Sequence, residues 1–83
     1  MGASLTPAAR THILRVLRLF IAIRFATLSI ALEDAPLAVR QIAAGRPVGQ
    51  RDLWIAGAWC GLTERDLRRA AEVATRRDGR AAA

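Results

Sequence analysis

Five arginines crowd the C-terminal stretch ERDLRRAAEVATRR: Arg65, Arg68, Arg69, Arg76 and Arg77. At helical spacing, Leu67, Ala70, Ala71 and Ala74 form one apolar stripe, and the arginines project away from it with Glu72 among them. A guanidinium is a planar fork that donates two hydrogen bonds at once, which suits phosphate, carboxylate and the two acceptors on the major-groove edge of guanine. Arg65, Arg68 and Arg69 are therefore candidates for base edges or nearby phosphates, and Arg76, Arg77 and Arg80 for sequence-independent phosphate contacts. A plainer reading competes, in which these side chains form a solvated face. Glu64 to Arg68 and Glu72 to Arg76 stand at the four-residue spacing that favours ion pairs along a helix.

The elements that would present this face begin at residue 51. A helix carrying Leu53, Trp54, Ile55, Ala58 and Trp59 leads into Gly61-Leu62, where a tight turn needs glycine. Thr63 then caps a last helix, with Asp66 three residues on in a near capping box. Gly57, Gly61, Leu67 and Ala70, with the apolar Ala56, Cys60 and Leu62, resemble the helix-turn-helix of small bacterial and phage DNA-binding proteins across residues 51–77. GLTERDLRRA is similar to the turn and second helix of many such repressors. The chain departs from that pattern in having two tryptophans on the first helix of the pair. The resemblance implies that the second helix is presented to the major groove of duplex DNA by a transcriptional regulator.

Upstream, Thr6 and Pro7 mark a strong helix start, and the reading continues that helix to about residue 32. Its run ILRVLRLFIAIRFATLSIAL is apolar nearly all round, with Arg24 on the apolar side. A membrane span is not expected, because Arg15, Arg18 and Arg24 would each cost roughly 2.5–3.5 kcal/mol near the bilayer centre. A core helix, or one shared across a homodimer, is the better reading, with Arg24 paired to Glu33, Asp34 or a partner. Asp34 as cap and Pro36 in the first turn predict a second helix over about 35–44, burying Leu37, Val39, Ile42 and Ala43. Gly45 and Pro47 end it.

The expectation is thus an all-α, compact bundle of about four helices: a single domain over 1–77 and a disordered tail over 78–83. The chain has 83 residues and a net charge of +6, carried by thirteen arginines and no lysine. That excess favours a polyanionic or acidic partner, although a GC-rich genome would also enrich arginine and alanine. One cysteine excludes an internal disulfide, which fits a reducing cytoplasm. His12 stands alone in the sequence and is read as a surface residue; no metal site, cofactor, small-molecule substrate or catalytic constellation is expected. The alternative function is a non-enzymatic inhibitor or adaptor of phage or mobile-element type, anti-CRISPR-like in size. It would grip an acidic protein surface through Trp54, Trp59, Arg24 and Arg46, as interface arginine and tryptophan anchors do.

Overall fold

The computed structural model describes residues 4–82, with side chains through Arg80. The hydroxyl of Thr6 accepts a hydrogen bond from the Ala9 N–H at 3.1 Å, and Pro7 occupies the first helical position. α1 follows over Pro7–Leu28. It ends four residues before the sequence reading placed its end. Ser29 adopts the left-handed conformation at φ 52°, its N–H bonding back to the Phe25 carbonyl, and Ala31 is extended. A single 3₁₀ turn over Leu32–Asp34 then reverses the chain, so that Ala35 is buried against the core.

α2 covers Leu37–Ala43. Asp34 makes no cap bond to it; the residue preceding the helix is Pro36, whose missing N–H costs nothing at a helix entrance. Ala38, Val39 and Ile42 are buried, whereas Leu37 and Ala43, both expected inside, face solvent. A loop leads to α3, Gln50–Trp59. Arg10 of α1 holds that loop by donating to the Val48 carbonyl at 2.8 Å, and the Leu5 N–H donates to the Gln50 side chain at 3.2 Å.

α4 runs over Glu64–Ala82. Fraying had been expected after Arg77, but the helix continues through residues 78–82, and Ala83 lies outside the described residues. The reason lies in an extension of its buried stripe. Leu67, Ala71, Ala74 and Asp78 follow one another at steps of four, three and four residues, and the Asp78 carboxylate meets His12 Nε2 at 2.9 Å. His12 is itself 9% exposed, so the lone surface histidine of the sequence reading is a buried residue of α1 with a carboxylate partner.

The four helices surround one core, with no strand among the described residues. Ile13, Leu17, Val39, Ile42, Leu53 and Leu67 are its largest fully buried side chains, drawn from all four helices. Each such burial contributes about 1.5–3 kcal/mol. The all-α bundle with a long first helix is as the sequence predicts.

Candidate nucleic-acid interface

The turn between α3 and α4 satisfies nearly every backbone group it exposes. Gly61 adopts φ 80°, where a side chain would be strained. The Leu62 N–H bonds to the Gly57 carbonyl at 2.8 Å and the Gly61 N–H to the Ala58 carbonyl at 3.0 Å. These are the two bonds of a Schellman motif. Thr63 then opens α4 with a reciprocal capping box: the Asp66 N–H donates to the Thr63 hydroxyl at 3.1 Å, and the Thr63 N–H to the Asp66 carboxylate at 2.9 Å. The Thr63 backbone amide, and next its hydroxyl, hold the Asp66 carboxyl below its ordinary range. An ideal Cβ at Gly57 would lie 2.7 Å from Leu67 Cδ1, so the two helices cross with no room for a side chain there.

This junction fixes the orientation of α4. Leu67 and Ala71 are buried. At roughly 100° per residue, Arg65, Arg69, Arg76 and Arg80 lie on the opposite side of the helix from them, and all four are exposed. From Arg65 to Arg80 this stripe extends about 22 Å along the axis. Glu72 interrupts it and pairs with Arg76.

The two acids at the start of α4 are already engaged. Asp66 serves the cap, and Glu64 accepts from Arg68 Nε at 2.9 Å. The guanidinium of Arg68 also lies over the Trp54 ring, 5.2 Å from its centroid. Arg68 is thus held sideways against α3 and is only partly exposed. Arg77 is exposed on the other flank, beside Val73 and Ala74. Of the arginines singled out from the sequence, Arg65, Arg69 and Arg76 share one free face, and Arg68 and Arg77 border it.

The other group of candidates is dispersed. Arg46 is exposed in the loop between α2 and α3. Arg24 has no carboxylate partner, contrary to the expected pairing with Glu33 or Asp34. Its guanidinium lies 4.9 Å from the centroid of Trp59, its Nε is buried without a hydrogen bond, and Trp59 in turn packs on Phe25 at 5.4 Å. Both tryptophans are partly buried against the core under an arginine, and neither stands out as an exposed anchor. Cys60 sits beside this cluster, and burial pushes its thiol upward against the opposing pull of Arg24.

His12 and Asp78 were not joined by sequence reading. The signal was present in the heptad continuation from Leu67 to Asp78, but α4 had been ended one residue too early to use it.

No protein-family model, curated protein or solved structure matches this chain. No group of His, Cys, Asp or Glu among the described residues is placed to hold a metal ion, and no described helix is long and apolar enough to cross a membrane.

Proposed function

We propose that the chain is a small basic transcriptional regulator that binds duplex DNA with α4 in the major groove. The observation that carries this reading is the exposed stripe Arg65–Arg69–Arg76–Arg80, set opposite the buried face of a helix whose start is locked by the Schellman turn and capping box. A rigid helix entrance matters because base readout demands fixed side-chain origins. Arg65 and Arg69 are the base readers, being on the N-terminal half of α4, and Arg76 and Arg80 bind phosphates farther along. Arg68 supports the helix against Trp54 and contributes less to readout.

The test is selection from a randomised duplex library with the full chain, followed by titration of the enriched sequence at about 150 mM salt. Arg65→Ala and Arg69→Ala should each weaken specific binding by about 1–3 kcal/mol, with little change toward scrambled duplex. Arg68→Ala should cost less. Failure to enrich any sequence, with equal binding to every duplex, would discard the regulator reading in favour of an acidic protein partner.

A further inference from the structure

The C-terminal half of α1 leaves large apolar side chains in water. Leu19 is 60% exposed, Ile23 51% and Leu28 52%, and Phe20 beside them is exposed as well. Leu19, Phe20, Ile23 and Thr27 recur at the spacing of one helix face. Next to them is a hollow of about 220 Å³ lined by Phe20, Ile23, Arg24, Thr27, Leu28 and Cys60. Contiguous apolar exposure of this kind on a small protein marks a contact surface.

The charges at the two ends of the face specify what covers it. Arg15, exposed, precedes the face; Glu33 and Asp34, also exposed, follow it in the 3₁₀ turn. None of the three makes an ion pair among the described residues. A surface that is positive at one end and negative at the other is complementary to itself when reversed. We propose that a second copy of this chain docks on it antiparallel, about a two-fold axis between Ile23 and Arg24. Leu19 then faces Leu28 of the second copy, and Phe20 faces Thr27 and enters the hollow beside it. Arg15, about 20 Å from Leu28 along the helix, comes level with Leu32 of the second copy, next to Glu33 and Asp34. Such an interface is isologous, as a two-fold dimer requires. Arg24 lies over Trp59 and is not called on to pair.

This inference does not depend on DNA binding and is tested without DNA. Sedimentation of the full chain over a concentration series should show a monomer–dimer equilibrium. Ile23→Glu should give a monomer with an unchanged circular dichroism spectrum, because the side chain is half exposed. Arg15→Glu should weaken the dimer about tenfold through two symmetry-related pairs. Adding Glu33→Arg and Asp34→Arg to it should restore dimerisation. Orientation is read by oxidative cross-linking in a Cys60→Ser background: Ile23→Cys should link to itself and Leu28→Cys should not. A chain that stays monomeric throughout, equal cross-linking at both positions, or no rescue by the triple charge reversal would each overturn the antiparallel dimer.

Discussion

Gly57 and Leu67 meet where α3 crosses α4, so closely that a Cβ on the glycine would sit 2.7 Å from Leu67 Cδ1 and 3.1 Å from the Leu62 carbonyl oxygen. Leu67 is 1% exposed and has no open space to swing into, and the carbonyl belongs to the Schellman turn. Gly57→Ala therefore overpacks a junction and should destabilise the fold by about 1–3 kcal/mol. The outcome is a lower midpoint in thermal or urea unfolding. An unchanged midpoint would show that the crossing yields easily and does not fix α4.

The capping box makes the start of α4 sensitive to acid. The folded carboxyl of Asp66 is held below its unfolded value by Thr63, so it contributes stability above the ordinary aspartate range. That contribution is lost as pH falls through the lowered folded value. Asp66→Asn should flatten the acid limb of stability against pH while changing the net charge of the helix by one. Thr63→Ala, which removes the hydroxyl acceptor of the same box, should cost about 1 kcal/mol at neutral pH. Urea titrations across the acid range check both.

At the other end of α4, Asp78 fastens the helix to α1 through His12. The carboxylate is largely exposed, so Asp78→Ala should cost at most about 1 kcal/mol of global stability. Its effect is local: amide exchange should accelerate over residues 75–80 and not over 64–71. Uniform acceleration along α4 would mean that the pair matters to the whole helix rather than to its end.

Arg24 gains a cation–π contact with Trp59, worth roughly 0.5–1 kcal/mol at a partly exposed site. Its buried Nε without a hydrogen bond costs about 1–3 kcal/mol. The second exceeds the first, so Arg24→Met should leave the melting temperature unchanged or raise it. The same substitution removes the charge that opposes the burial of Cys60. The Cys60 thiol should then titrate higher still and react more slowly with a maleimide at a given pH.

Phosphate contacts carry a distinct signature. Arg76→Ala and Arg80→Ala should weaken binding to selected and scrambled duplex alike, and each should reduce the slope of log affinity against log salt by about one. Loss confined to the selected sequence would move those arginines into base readout.

Much of the architecture is written locally in the sequence. Thr6-Pro7, Gly61 and the Thr63–Asp66 pair act within a few residues of themselves, so their cap and turn chemistry was legible without the fold. The alternation of Leu67, Ala71 and Ala74 with arginines likewise determined that α4 has a buried side and a cationic side, because helical geometry alone assigns faces. Contacts between distant elements were another matter. That α1 stops at Leu28, that Arg24 finds Trp59 and no carboxylate, and that His12 meets Asp78 all depend on where chain reversal and helix crossing place groups far apart in sequence. Arg68 illustrates the division best. Its type and spacing gave it the same standing as Arg65 and Arg69. Only the packing of α3 beside α4 put Trp54 under its guanidinium and turned it away from the exposed stripe, because a side chain's neighbours across a bundle are set by interhelical packing and not by its own helix.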